Sequence, residues 1–265
     1  MRFYPQLTTG ATCLYPFSKT RRTRTIGSES PSGSTVKLAD DAGAAVEWDL
    51  GYRGMSDAEA AGLQALFDST EGRYREFTFL DPADNLLRWS EDFEQPVWQE
   101  LGLLVLSAGF PDPTGGNGAT QIANPTAVDL RIEQEIDGPA WYHYAFSVFL
   151  RSDSGTVVRL TRSSTNAEET GDQSTSQEWH RRVLSGRLSG ADESIRFGIV
   201  IPAGKTAEVY GCQAEAQPGA STYRKTTSRS GVYTRCRFGS DSLRITTEGP
   251  NHHGCRVQLR ALPTN

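Results

Sequence analysis

Cysteine is scarce in this 265-residue sequence, with four residues, and methionine scarcer still, with two. Cys13, Cys212, Cys236 and Cys255 form no C-x-x-C pair, so their spacing fits no zinc module. They read as free thiols of a protein assembled in a cytosol. Long apolar runs are missing too, so no window can span a membrane and no membrane partner is expected. The start, Met1-Arg2-Phe3-Tyr4-Pro5, has no signal-peptide core, and export by an ordinary secretion signal is not expected. There is no excess of positive charge: the net charge is −5, without the basic footprint of direct nucleic-acid recognition. Nor does a G-x-S-x-G elbow, a P-loop, an H-E-x-x-H helix or a dinucleotide fingerprint occur, and an enzyme is not expected.

What is abundant is turn chemistry. Gly (26) and Pro (13) are plentiful and hydrophobic residues reach only 37%, a balance that favours β structure with many turns. The length suits two domains, each able to bury a core. Residues 1–54 alternate short β-rich runs with turns. Val36–Leu38 and Ala45–Leu50 read as strands, the latter apolar at every second position. The basic cluster Lys19, Arg21, Arg22 and Arg24 is expected in a loop, solvated or touching another subunit. Residues 56–71 predict the one helix. Ser56 is its N-cap, Glu59 completes a capping box, Ala60, Leu63 and Phe67 form an apolar face, and Gly72 supplies a left-handed C-cap. Phe77 and Phe79 then share a face of a strand that ends at Asp81-Pro82.

At Asn85 the style changes. Asn85–Trp98 reads as the first strand and turn of a β-sandwich. Further strands are expected at Asp129–Ile136, Tyr142–Arg151, Thr156–Thr161, Trp179–Ser185, Ile195–Ile201 and Ala207–Gln213, with turns at Pro113–Gly118 and Thr165–Ser176. From Tyr233 the earlier pattern resumes: Thr234–Phe238, Leu243–Thr247 and Cys255–Leu262 are too few to fold alone and are expected to complete the first domain. The expected organisation is a discontinuous frame, residues 1–84 and 228–265, carrying an insert, residues 85–227.

Few residues suggest chemistry. The acidic pairs Glu91/Asp92, Asp40/Asp41 and Glu168/Glu169 could suggest a glycosidase, but adjacent carboxylates on a strand point to opposite faces. His252-His253-Gly254-Cys255 reads as a turn between the last two strands rather than a metal site. Asp153, Asp172 and Asp192 fall in expected turns of the insert, where jelly-roll modules can hold a structural calcium; no other cofactor is expected. Sugar binding uses exposed rings with polar neighbours. The candidates are Trp89, Trp98, Trp141, Tyr142, Tyr144, Trp179 and Tyr210. Trp141, just after Gly138-Pro139 at a strand end, is the best of them, with His143 on the same strand face.

Two sets of motifs carry a resemblance. Phe3-Tyr4-Pro5, Trp48-Asp49-Leu50, the capped helix, Phe77–Pro82 and Arg237-Phe238 resemble the distal tail and tail-completion proteins of long-tailed bacteriophages. The opening Asn85–Phe93 with a following Trp, the strand Tyr144–Arg151, Trp179-His180-Arg181 and the closing run Gly211–Arg224 resemble the carbohydrate-binding-module-like sandwiches of phage tail proteins. The resemblance implies a mainly β fold: a tail-tube-like barrel or sandwich with one helix, interrupted by a jelly-roll-like β-sandwich. Trp98 and Trp179 would then be core. It implies a ring of copies, usually six, at the tail tip of the virion, assembled in the bacterial cytoplasm. Its partners would be itself, the tail tube protein, the tip or baseplate hub protein and host polysaccharide. Lys19, Arg21, Arg22 and Arg24 would lie at the ring interface, and Trp141, His143 and Tyr210 would meet glycan. The rival readings are a glycan- or receptor-binding adhesion module and a polysaccharide depolymerase accessory.

Overall fold

The computed structural model describes residues 1–152 and 155–262, apart from the side chains of Asp41 and Ala42. In chain order the elements are β1 (Leu14–Glu29), β2 (Thr35–Met55), α1 (Asp57–Ser69), β3 (Phe77–Leu80), β4 (Gln99–Leu101), β5 (Val105–Phe110), β6 (Ala119–Ala123), β7 (Leu130–Asp137) and β8 (Tyr144–Arg151). There follow β9 (Val157–Ser163), β10 (Glu168–Ser174), β11 (His180–Gly186), β12 (Ser194–Ile201), β13 (Thr206–Glu215), β14 (Val232–Phe238), β15 (Ile245–Gly249) and β16 (His252–Ala261). The protein is mainly β. It forms two compact units, one of Met1–Thr8, Thr12–Phe79 and Tyr233–Asn265, the other of Thr9–Ala11 and Leu80–Val232.

In the first unit, β1, β2, β16, β14 and β3 form one sheet in that order, with β15 paired to β16. Alternation on β2 and β16 sends Val46, Trp48, Leu50 and Tyr52, with Val257, Leu259 and Ala261, into a single core. Trp48 meets Phe79 and Tyr233 edge-on at 4.9 and 4.7 Å, and Tyr4 lies 5.8 and 5.5 Å from Phe77 and Phe79. The helix covers this core with Ala60, Leu63 and Leu66, while Phe67 packs on Phe238 at 5.1 Å.

The helix starts where its capping chemistry dictates. Glu59 N–H donates to Ser56 Oγ at 3.2 Å, and the Glu59 carboxylate accepts from Ser56 N at 2.8 Å and from Thr8 N at 2.7 Å. It ends through left-handed Glu71 and Gly72, the Gly72 N–H returning to Phe67 O at 3.1 Å. Burial alone would raise the Glu59 carboxyl, but the hydrogen bonds from Ser56 and Thr8 outweigh it and hold it at about 2. The carboxylate's contribution to stability is thus present above its unfolded value of 4.5 and lost as pH falls toward 2. Ser56→Ala is expected to cost about 1 kcal/mol at neutral pH. It should also shrink the stability lost between the unfolded value and the folded one. Thermal melts over the acid range check both, and an acid limb identical to that of the parent would count against the Ser56–Glu59 account.

Several expectations need correction here. Lys19, Arg21, Arg22 and Arg24 do not form a loop: they lie on β1, because β2 supplies a full set of cross-strand partners. Arg22 pairs with Glu47 at 2.7 Å, Arg24 pairs with Asp40, and Lys19 Nζ sits 5.8 and 5.7 Å from the Trp48 and Tyr233 ring centres. His252 and His253 begin β16, and the turn falls at Pro250-Asn251 instead. His253 Nε2 is 2.6 Å from Asp57 Oδ1 and His252 Nδ1 is 3.3 Å from Glu248. Among the described residues no group of three or more metal-ligating side chains converges.

The second unit is a sandwich of two antiparallel five-stranded sheets, β10-β9-β12-β7-β4 and β11-β8-β13-β6-β5. Its core alternates from both: Ile132 and Ile136, Val158 and Leu160, Ile195, Phe197 and Ile199 from one sheet, Tyr144, Phe146, Val148 and Leu150 from the other. Asn85–Trp98, expected as the first strand and turn, contains turns but no strand. It buries Leu86, Leu87, Phe93 and Trp98 yet is held by a side chain. Asn85 Nδ2 donates to the carbonyls of Cys212 (2.8 Å) and Arg224 (3.2 Å), and its Oδ1 accepts from Leu87 N (3.0 Å) and Ala214 N (3.1 Å). Gln134 on β7 adds a paired bond to Arg88, accepting from its N–H at 2.7 Å and donating to its carbonyl at 2.8 Å. The expected turn Thr165–Ser176 contains β10, an edge strand without an apolar residue whose register on β9 runs from Glu168↔Ser163 to Ser174↔Val157. Asp172 is therefore on a strand, 3.2 Å from Arg159, while Asp192 accepts from Asn166 and Asp153 lies outside the described residues.

Candidate functional site

On the frame, the outer part of the β1–β2 hairpin is a two-stranded ribbon with a chemical polarity. Ile26 is paired with Leu38, and Ser28 with Val36. Residues at alternate positions share a face, so Ile26, Val36 and Leu38 form one apolar side, and they are 50, 59 and 61% exposed. The other side carries Thr25, Gly27, Lys37 and Ala39. At the base of the same unit lies a groove of about 740 Å³ lined by Leu14, Tyr15, Phe17, Tyr52 and Cys255. Arg21, Arg22 and Arg24 flank the ribbon, but Arg22 and Arg24 already hold acidic partners on β2.

On the sandwich, the residues expected to meet glycan are not brought together. Trp141 is exposed and meets Tyr142 edge-on at 5.9 Å. His143 is half-buried, its Nε2 3.3 Å from Ser185 Oγ. Burial first, then Arg187 and Arg162, hold its pKa below the usual value and favour the neutral ring. Tyr210 is on β13, in register with Phe149. Phe149 is six residues from His143, which immediately precedes β8, roughly 20 Å at strand rise. Tyr210 is also no exposed platform: it is 6% exposed. The cause is a bulge after it, with Gly211 at φ +65, against which the Tyr223 ring lies. Burial, then Glu91, push the Tyr210 hydroxyl up to about 12.

Around Tyr210 the outward side of the β11-β8-β13-β6-β5 sheet gathers rings that sequence reasoning passed over. Phe149 and Tyr223 lie 6.0 and 5.6 Å from Tyr210. These rings are already engaged. Arg181 sits 5.6 Å from the Phe149 ring centre, and the Tyr223 hydroxyl is 2.7 Å from Ser90 Oγ and 2.9 Å from Glu91. Trp179, expected in the core, is instead half-buried at the surface because Arg151 stacks on it at 4.8 Å.

The outward side of the β10-β9-β12-β7-β4 sheet is built differently. Strand register sets three rows across it: Leu101, Arg131, Val200, Arg159 and Asp172; Gln99, Glu133, Gly198, Thr161 and Thr170; Glu135, Arg196, Ser163 and Glu168. Arg131 spans from Glu133 (3.0 Å) to Glu168 (2.9 Å), and Arg196 lies 3.0 Å from Glu135 and 3.8 Å from Glu133. Glu133 is 4% exposed. Its burial raises the carboxyl despite Arg131 and Arg196. Of the acidic pairs, Glu168 joins this face, whereas Glu169 turns inward to the buried Arg162.

No family model matches the chain, and no curated protein does. Solved structures do. The xylan-binding domain CBM22-1 of Paenibacillus barcinonensis Xyn10C is 12% identical at a TM-score of 0.43, over 53% of this chain and 99% of that one. TmCBM61, solved with β-1,4-galactotriose, is 17% identical at 0.39, over 49% of this chain and 97% of that one. A domain of tailspike protein 4 of bacteriophage CBA120 is 10% identical at 0.40, over 52% of this chain and only 22% of that domain. These are similarities of outline.

Proposed function

We propose that this is a structural protein of a long-tailed phage virion. Its frame assembles with copies of itself, six by the resemblance, into a ring joining the tail tube to the tip or baseplate. The insert contacts host-surface glycan. The protein acts by assembly and binding, without catalysis, at the tail tip.

One observation carries the reading: the amphipathic β1–β2 ribbon. A two-stranded hairpin is marginal in water by itself, and this one has an apolar side formed by Ile26, Val36 and Leu38. A ring needs a heterologous contact, in which one surface of a copy meets a different surface of the next. The ribbon and the groove at Leu14, Tyr15 and Phe17 are two such unlike surfaces of one frame. The second reading, an adhesion module, is favoured by the polar sheet face around Glu133.

Purified full-length protein is expected to form closed rings in negative-stain micrographs, and mass photometry should give one multiple of the 29.0 kDa protomer. Rings should weaken with added salt only modestly, since the contact is apolar and Arg22 and Arg24 are already paired. A monomer at micromolar concentration, or open filaments, would overturn the ring.

A further inference from the structure

We propose that β5, the end strand of the β11-β8-β13-β6-β5 sheet, pairs antiparallel with β5 of a second copy and joins two sandwiches through one continuous sheet. The seam is separate from the ring, whose contact lies on the frame.

The sandwich has four end strands, β10, β4, β11 and β5. An end strand offers unpaired N–H and C=O groups to any other strand, and charge or brevity normally blunts it. β10 carries Glu168, Glu169 and Asp172, and β11 carries Arg181 and Arg182. β4 has only three residues, with Glu100 in the middle. β5 lacks these guards. It reads Val-Leu-Ser-Ala-Gly-Phe, and the whole run Leu101–Pro111 is uncharged. Its bulge comes only after Ala108, so Val105–Ala108 stay in regular register on β6. Leu103 and Val105 are 77 and 52% exposed, and no strand lies beyond β5 among the described residues. An exposed, uncharged edge of this kind is a hazard unless something covers it.

The run itself selects the occupant. Large residues stand at its start, Leu103-Leu104-Val105, and small ones at its end, Ser107-Ala108-Gly109. Two identical strands laid antiparallel therefore set large against small. A two-fold axis normal to the sheet keeps each side chain on its own face only when it passes through a residue, because faces alternate along a strand. Through Leu106, it opposes Val105 to Ser107 of the copy and Leu104 to Ala108, all before the bulge. Leu103 then lies over Gly109 of the copy, where a Cβ would meet nothing within 4 Å. Leu106 is in register with the buried Ile122 and packs against the core, so the two copies of Leu106 carry that core across the seam. No like charges are opposed. Such pairing is isologous: it uses up both edges and stops at two copies. With a handful of residues a side, against roughly 20–30 in a standard interface, the seam is weak and is best read by trapping it.

Disulfide trapping of the full chain tests the seam. Val105→Cys and Ser107→Cys chains are mixed, oxidised with copper phenanthroline and run on non-reducing gels. Directly opposed residues bring their Cβ atoms within about 5.5 Å, close enough to bridge, whereas two copies of the same position are diagonal neighbours about 7–8 Å apart. The mixture should therefore give a band at twice 29.0 kDa, formed about tenfold faster than in either chain alone or in the parent with its four cysteines. Adding Leu103→Lys to both chains should slow it about tenfold by guarding the edge. The melting temperature should hold, because that side chain is largely exposed. The band should persist when Ile26→Asp and Leu38→Asp are added to remove the ring contact. No band, equal rates in the mixture and the single chains, or indifference to Leu103→Lys overturns the seam. A band lost with Ile26→Asp and Leu38→Asp would be a by-product of ring packing: it overturns the seam and leaves the ring standing.

Discussion

Replacing Ile26 and Leu38 together by aspartate is expected to leave the frame folded and to abolish ring formation. The two residues face each other across the β1–β2 ribbon and are 50 and 61% exposed, so the protomer loses little burial. Two like charges opposite one another on a strand pair cost about 1 kcal/mol or less in water. Inside an interface the same pair would be desolvated without partners, a penalty of several kcal/mol per contact. Repeated around a ring, that shifts assembly by orders of magnitude. Mass photometry of parent and variant over a hundredfold range of concentration reads the result, with circular dichroism to establish that the frame still melts as before. Rings formed at the parent's concentration would remove the ribbon from the interface. The basic cluster offers a less clean test. Reversing Arg22 sets two acids against each other, since its partner is Glu47, and so confounds fold with assembly.

The parts of this fold that were legible in the sequence are those whose cause is local. The capping box needs only Ser56 and Glu59, three residues apart, and the helix begins there. Alternation at Ala45–Leu50 reflects one buried face, and that strand is present, as is Tyr144–Arg151, which is buried on both faces over most of its length. What was misread depends on partners far away in the chain. β10 has no apolar residue; β9 and ion pairs such as Asp172–Arg159 make it a strand. Lys19–Arg24 looked like a loop because its acidic partners, Glu47 and Asp40, lie on the returning strand. Asn85–Trp98 has the apolar density of a strand, but bonds to Cys212, Ala214 and Arg224 decide its path.

The candidate site follows the same division. The motif at Trp179 points to the core, and only the position of Arg151 reveals why the ring stays at the surface. Residue type groups Tyr210 with Trp141, although the bulge at Gly211 buries it. That Arg131 and Arg196 share Glu133, with Glu168 beyond, required the strand order β10-β9-β12-β7, which no local pattern encodes.

Asn85→Ala is expected to unfold the second unit selectively, costing about 3–5 kcal/mol. Asn85 is fully buried and serves four backbone groups at once: it donates to the carbonyls of Cys212 and Arg224 and accepts from the amides of Leu87 and Ala214. Alanine leaves all four without that partner. Asn85→Asp should be as damaging, because the carboxylate would turn an acceptor toward two carbonyls. The loss propagates along the chain. Freed from Asn85, the irregular segment no longer holds Leu86 and Leu87 in the core, and the closing run past Gly211 loses its anchor at Arg224. Hydrogen exchange read by mass spectrometry separates this from global destabilisation. Protection should fall at residues 85–98 and 212–226 and then across β7 and β8. The amides of β2 and β16, in the other compact unit, should keep theirs. If protection instead fell equally in both units, or the urea midpoint moved by less than about 1 kcal/mol equivalent, Asn85 would not be the pin of the sandwich.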